Sequence, residues 1–157
     1  MARKAGKRYT TRLALVCHEL NAQRVRYLVV GASAMQLWGT TRATRDIDIV
    51  IEPTVANARR TLAALSRLGF GFAAELSPEE IVQRPVTMIG DMPAVDVLTQ
   101  AWNVRFAQAR PRCLVMTLEG VEIPVASIED LIESKRTGRL QDAADIEVLE
   151  EIQRLRS

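Results

Sequence analysis

Two aspartates interrupt an otherwise β-branched run at residues 46–51, which reads DIDIVI. Strand alternation places Asp46 and Asp48 on one face of this segment and the isoleucines on the other. The two acids would then lie about 7 Å apart and repel each other unless a cation lies between them. Hard carboxylate oxygens suit Mg²⁺ or Mn²⁺. The segment therefore predicts a strand with one apolar face and one candidate metal-binding face.

A third aspartate, Asp96, lies in a second apolar run at residues 93–98 (PAVDVL). Burial of an ionised carboxylate without a partner is costly, so Asp96 should pair with an arginine or a cation, or face a polar cleft. Three acids on two strands form the ligand set that two-metal phosphoryl transfer uses. We therefore interpret Asp46, Asp48 and Asp96 as metal ligands, with Mg²⁺ or Mn²⁺ as the cofactor, and keep a structural salt bridge as the alternative for Asp96.

Hydrophobic periodicity predicts helices that alternate with strands and a mixed sheet, and thus an α/β (α+β) fold. The predicted strands are residues 27–30, 46–51, 86–89, 94–98, 113–118 and 121–125. The predicted helices are residues 10–23, 33–38, 55–68, 128–137 and 140–155. Since the sequence contains no repeat, low-complexity segment or linker, residues 1–157 are predicted to form one domain, with a helical pair over residues 127–157.

Composition excludes some classes of protein. No apolar run reaches the length of a membrane span and the N-terminus lacks the apolar core of a signal peptide, so we predict a cytoplasmic protein. Cys17 and Cys113 lie in apolar contexts and are predicted to be reduced core residues. The net charge is only +2, but basic residues crowd the first twelve positions. Residues 1–9 are predicted to be a disordered tail, which is either simply solvated or attracts a polyanion such as RNA.

The predicted C-terminal helical pair carries charged residues on its inward faces. Lys135 continues the apolar stripe that begins at Ile128, seven residues earlier. It either neutralises triphosphate oxygens, with Arg139 as a second donor, or snorkels to solvent. Asp145 is predicted to pair with Lys135 or Arg139 and to orient it, whereas Asp142 is predicted at the edge of the face in a structural ion pair.

The order of these motifs resembles that of the nucleotidyltransferase superfamily, and is most similar to its small bacterial AbiEii-like toxin nucleotidyltransferases and their uncharacterised relatives. The resemblance covers residues 27–149. It is carried by the strand that ends at residues 30–33 (VGAS), by residues 42–48 (RATRDID), by Asp96 on a later strand, and by Lys135, Arg139, Asp142 and Asp145.

The resemblance implies a nucleotidyltransferase fold and a metal-dependent transfer of a nucleoside monophosphate from a nucleoside triphosphate to an acceptor hydroxyl. It implies RNA as the acceptor and an antitoxin as a partner protein. The implied catalytic residues are Asp46, Asp48, Asp96 and Lys135. The implied nucleotide-binding residues are Gly31, Ala32, Ser33, Thr44 and Arg139, with Asp145 in support. The second Gly or Ser of the family is Ala32 here, but backbone N–H groups at the start of the helix can still bind a phosphate.

Two other functions would use the same residues. A catalytically silent member of the fold could regulate a partner, which Ala32 favours and the three mutually repelling acids disfavour. Transfer to a small molecule such as an aminoglycoside would differ only in the acceptor pocket. The sequence also predicts His18 as a surface or half-buried residue rather than a catalytic base, and Trp38 and Trp102 as core residues rather than platforms for a nucleobase.

Overall fold

Helices and strands alternate along the chain. The computed structural model describes residues 8–40, 44–90 and 94–156. The strands are β1 (Tyr27–Val30), β2 (Ile47–Ile51), β3 (Val86–Ile89), β4 (Val95–Leu98), β5 (Leu114–Leu118) and β6 (Val121–Val125). The α-helices are α1 (Arg12–Ala22), α2 (Gly31–Trp38), α3 (Val55–Ser66), α4 (Pro78–Gln83), α5 (Phe106–Ala109), α6 (Ile128–Ser134) and α7 (Leu140–Arg156). The described residues also include two 3₁₀ turns, Gly71–Glu75 and Arg110–Arg112.

The strands form one six-stranded sheet with the order β3-β4-β2-β1-β6-β5. β1 runs antiparallel to β2 and parallel to β6, and β2 runs parallel to β4. The two edge strands, β3 and β5, are each antiparallel to their neighbour. This architecture confirms the predicted α/β (α+β) class with a mixed sheet, flanking helices and a helical C-terminal segment.

The central strands are apolar because they are covered on both faces. All four residues of β1 are buried, and every residue of β2 is buried except Asp48. Strand register aligns Val30 with Asp48, Asp48 with Asp96, and Asp96 with Met88. Since residues opposite each other in a ladder share a face, this row brings two acids from separate strands side by side.

The start of α1 is fixed to the turn between β5 and β6. The Glu119 carboxylate accepts hydrogen bonds from the backbone N–H and hydroxyl groups of Thr10 and Thr11, at distances of 2.6–3.0 Å. These bonds lower the pKa of Glu119 to about 2, and the bond from the Thr11 hydroxyl is the largest cause. The anchor determines where Arg12, the first residue of α1, lies relative to the sheet.

Several expectations about single residues can be compared with the structure. Trp38 is buried as predicted, and its indole N–H donates to the Ala126 carbonyl at 3.0 Å. The prediction for Trp102 is wrong, because 56% of this residue is exposed. Cys17 is buried, His18 is exposed, and Cys113 is only half-buried rather than a core residue. Residues 1–7 of the predicted tail lie outside the described residues.

Within the ranges that the structure describes, no helix is both long enough and apolar enough to cross a membrane.

Candidate active site

Asp48 and Asp96 form the centre of the candidate site. They are paired across the parallel strands β2 and β4. Both line a cavity of about 280 Å³, together with Gly31 at the start of α2, Lys135 after α6, and Trp102. The sequence predicted that these two acids serve one site, and the strand register supplies their proximity.

The positive charge near Asp48 and Asp96 does not balance the negative charge of the two carboxylates. The pKa of Asp48 is raised to about 7, and burial is the largest cause. The hydrogen bond to Asp96 and the negative charge of Asp96 raise this pKa further, and the charge of Asp46 raises it less. The positive charge of Lys135 lowers it. Asp96 Oδ1 is buried and has no hydrogen-bond partner among the described residues. Carboxylate oxygens are the ligands that Mg²⁺ prefers, and a cation between the two acids would relieve their repulsion. The residues present therefore fit a divalent cation.

Gly31 allows the Asp48 carboxylate to lie against the first turn of α2. Gly31 has φ of +65°, and a Cβ built on it would lie 2.1 Å from Asp48 Oδ2. Glycine is therefore required both for the backbone conformation and for the close approach of the acid. The strand-to-helix turn and the acidic site thus depend on the same residue.

Gly31→Ala should reduce the stability and the ligand response together. We expect the free energy of unfolding to fall by about 1–3 kcal/mol, because alanine strains the left-handed backbone and must displace Asp48. Gly138→Ala is the matched control, since Gly138 has φ of +84° and no heavy atom within 4 Å of its Cβ position. Urea unfolding with and without Mg²⁺ and nucleoside triphosphate measures both effects. Equal losses of stability and equal ligand responses in the two variants would contradict the role of Gly31.

Asp46 does not line the cavity that holds the carboxylate pair, although its charge acts on Asp48. β2 begins at Ile47, so Asp46 is the residue directly before the strand. Asp46 is exposed and lines a second cavity, of about 480 Å³. Within the described ranges, no three His, Cys, Asp or Glu side chains are grouped closely enough to form a complete metal cage. The structure thus brings Asp48 and Asp96 together and leaves Asp46 at the rim.

Two hydroxyl groups from the predicted nucleotide-binding set fix the chain next to Asp46. The Ser33 hydroxyl, which is buried, donates to the Asp46 carbonyl at 2.9 Å. The Thr44 hydroxyl accepts from the Asp46 N–H at 3.3 Å. Ser33 and Thr44 also line the second cavity, whereas Ala32 is half-buried beside Gly31. These hydroxyls position the entry to β2, and contact with a nucleotide stays a prediction for them.

Lys135 connects the carboxylate pair to a second acidic group behind it. Its ammonium lies 3.1 Å from Asp145 Oδ2 and 3.5 Å from Asp142 Oδ1. The predicted ion pair with Asp145 is therefore present. Asp142 is buried rather than at an edge, because the turn between α6 and α7 folds back over it and the Thr137 hydroxyl and the Arg139 guanidinium both donate to its carboxylate.

A lysine with this environment is held in place rather than free to snorkel. Its side chain is 17% exposed, and the two aspartates behind it are 7% and 5% exposed. Its charge also lowers the pKa of Asp48, against the larger effects of burial and of Asp96. Arg139, by contrast, is 76% exposed and reaches the same cavity from its rim.

The fold and this arrangement of charges fit a protein class that binds phosphorylated nucleotides. Comparison with known protein families matches residues 11–155 to the family described as nucleotidyltransferase of unknown function (DUF6036). The protein belongs to this family, which confirms the resemblance to the nucleotidyltransferase superfamily and indicates a transferase with a nucleotide substrate. The match does not extend to the AbiEii-like subgroup. No curated protein matches the chain.

Proposed function

We propose that this protein moves a nucleoside monophosphate from a nucleoside triphosphate to an acceptor hydroxyl, in a reaction that depends on a divalent metal. The observation that carries the proposal is the half-buried pair of Asp48 and Asp96 in one cavity with Lys135, with one carboxylate oxygen, Asp96 Oδ1, that is itself buried and accepts no hydrogen bond from the described residues. In the reaction, a bond forms between the acceptor oxygen and the α-phosphorus. The bond from that phosphorus to the β-phosphate oxygen breaks, and pyrophosphate leaves.

Asp48 and Asp96 would hold Mg²⁺ or Mn²⁺, with Asp46 as a further ligand from the rim. Bound there, the metal would neutralise charge on the phosphate oxygens. Asp96 would accept the proton of the attacking hydroxyl, a role supported by its Oδ1 atom, to which none of the described groups donates. Lys135 would stabilise the departing pyrophosphate, held in position by the two aspartates behind it, and Arg139 would add a second donor.

RNA is the acceptor that the charge around Asp46 favours. The cavity of about 480 Å³ beside Asp46 is also lined by Arg12 and Arg45. Both arginines are exposed, and neither forms an ion pair with another residue in the described parts of the chain. Guanidinium groups that pair with no acid among the described residues suit the phosphates of a polynucleotide better than a cationic aminoglycoside. We extend the proposal to a toxin-type enzyme opposed by a partner antitoxin, which the sequence resemblance supports.

Mg²⁺ with a nucleoside triphosphate should stabilise the protein more than either ligand alone, because the metal relieves the repulsion between the acids and the triphosphate adds contacts. At a hundredfold excess over Kd, the midpoint of thermal unfolding should rise by about 5–10 °C. A thermal-shift titration with Mg²⁺, triphosphate, and both together measures this. A midpoint that none of the three mixtures moves would contradict the proposed site.

A further inference from the structure

Trp102 lies at the tip of a two-residue turn beside the carboxylate pair. Ala101 and Val104 close the turn through reciprocal backbone hydrogen bonds of 2.8 and 2.9 Å. Both of these residues are buried, so the turn is rooted in the core while Trp102 projects from it with 56% of its surface exposed. A large aromatic side chain that stays exposed on an anchored turn is available to a ligand.

The turn holds Trp102 in one position at an energetic cost. Its φ is +57°, a left-handed conformation that is uncommon for a bulky residue and that costs stability. The side-chain amide of Gln100 donates to the Trp102 carbonyl, and Asn103 Nδ2 donates to Glu133 Oε2 on α6 at 3.3 Å. The second bond joins the turn to the helix that precedes Lys135. Strain maintained by several contacts is typical of residues that serve binding.

Trp102 and the charged groups line the same cavity of about 280 Å³. Trp102, Leu98 and Ala101 form its apolar part, and Asp48, Asp96 and Lys135 form its charged part. On its other side, Trp102 borders a shallow depression with Pro85, Gln100 and Asn103. The lining of this cavity therefore combines an aromatic side chain with the charged groups of the candidate site.

We propose that the indole of Trp102 stacks on the nucleobase of the bound nucleoside triphosphate. The inference rests on the proposed function, because the phosphates must bind at Lys135 and the metal held by the carboxylate pair for the base to lie in the same cavity as the ring. A nucleoside triphosphate carries the groups that match this lining, a flat aromatic base and anionic phosphates. Because every base has a π face, stacking predicts binding of all four triphosphates, and it strengthens affinity by about five- to 150-fold over the phosphates alone.

The experiment compares nucleoside triphosphates with inorganic tripolyphosphate, which carries the phosphates but no base, each with Mg²⁺. Calorimetry gives their affinities for the parent, Trp102→Leu and Trp102→Phe. The chain has two tryptophans, and the buried Trp38 provides the fluorescence reference in these variants. Val115→Ser is the matched surface control, since Val115 is also 56% exposed but lies on β5 at the far edge of the sheet.

We expect triphosphates, but not tripolyphosphate, to quench the fluorescence of the parent protein. Trp102→Leu should bind triphosphates about five- to 150-fold more weakly and tripolyphosphate with unchanged affinity. Trp102→Phe should retain most of the affinity, and Val115→Ser all of it. A structural role of Trp102 would weaken both ligands together, which would overturn the proposal.

Two further results would also overturn it. If Trp102→Leu binds and transfers nucleotides as the parent does, the base does not stack on Trp102, while the proposed function stands. If only self-association of the protein depends on Trp102, the exposed ring serves a second copy of the chain. Failure of the parent to bind any triphosphate or tripolyphosphate would instead remove the proposed function, and this inference with it.

Discussion

Asp48→Asn is expected to lower nucleotidyl transfer by about 10³-fold while leaving the metal-free protein at least as stable as the parent. Asparagine keeps the shape of the side chain but removes the charge that would hold the cation and repel Asp96. Initial rates with Mg²⁺ and a labelled triphosphate, together with urea unfolding in chelator, measure the two effects. If Asp48→Asn unfolds the protein, Asp48 is a structural residue and the assignment fails.

The stability of the same variant should differ from that of the parent in its pH dependence. The pKa of Asp48 rises from 3.8 to about 7 in the folded protein, so the folded state binds this proton more tightly than the unfolded chain does. The contribution of protonated Asp48 to the free energy of unfolding is therefore fully present below about pH 4 and is lost as the pH rises through about 7. Asp48→Asn removes this loss. Asp46→Asn is the control: because Asp46 is only a minor cause of the raised pKa of Asp48, its profile should keep this loss, displaced slightly toward lower pH.

Lys135→Met is expected to lower the free energy of unfolding by about 3–5 kcal/mol, because it leaves Asp142 and Asp145 buried without the ammonium between them. From the sequence alone we would expect methionine to preserve folding, since it keeps the apolar stem. The buried aspartates reverse that expectation. Urea unfolding of the purified variant measures the loss, and a variant as stable as the parent would contradict the buried ion cluster.

The two roles of Lys135 separate in a triple variant. Lys135→Met combined with Asp142→Asn and Asp145→Asn removes the stranded charges, so most of the stability should return. Transfer should stay low, because no ammonium faces Asp48 and Asp96. Transfer at the rate of the parent in the triple variant would show that Lys135 only holds the two helices together.

Local patterns were sufficient for the strands and for the longer helices. Apolar runs with turn residues between them predicted β1, β3 and β6 with the bounds that the structure shows. The short helices α4 and α5 were not predicted, since they have six and four residues and too few turns to show a period. Strand order and register depend on long-range pairing, so the alignment of Asp48 with Asp96 could not be read from either segment.

The residues of the candidate site were predictable by type more than by position. Asp46 and Asp48 were expected to serve one site, whereas Asp46, directly before β2, lines a different cavity from Asp48, a separation that depends on the packing of other elements around the strand. Asp142 was expected at an edge, because a helical wheel does not show the turn that folds back over it. Trp102 was expected in the core, because hydrophobicity alone does not distinguish a packed aromatic side chain from one that a strained turn presents to a cavity.

Transfer of label from α-labelled nucleoside triphosphates tests the central claim most directly. The protein with Mg²⁺ is offered total cellular RNA, cell protein and a panel of aminoglycosides in parallel. We predict that label moves to RNA, that this transfer falls steeply as salt rises, and that Asp96→Asn transfers none. Absence of transfer in every mixture, with equal triphosphate affinities for Asp46→Asn and the parent, would contradict the account and favour a catalytically silent binding module.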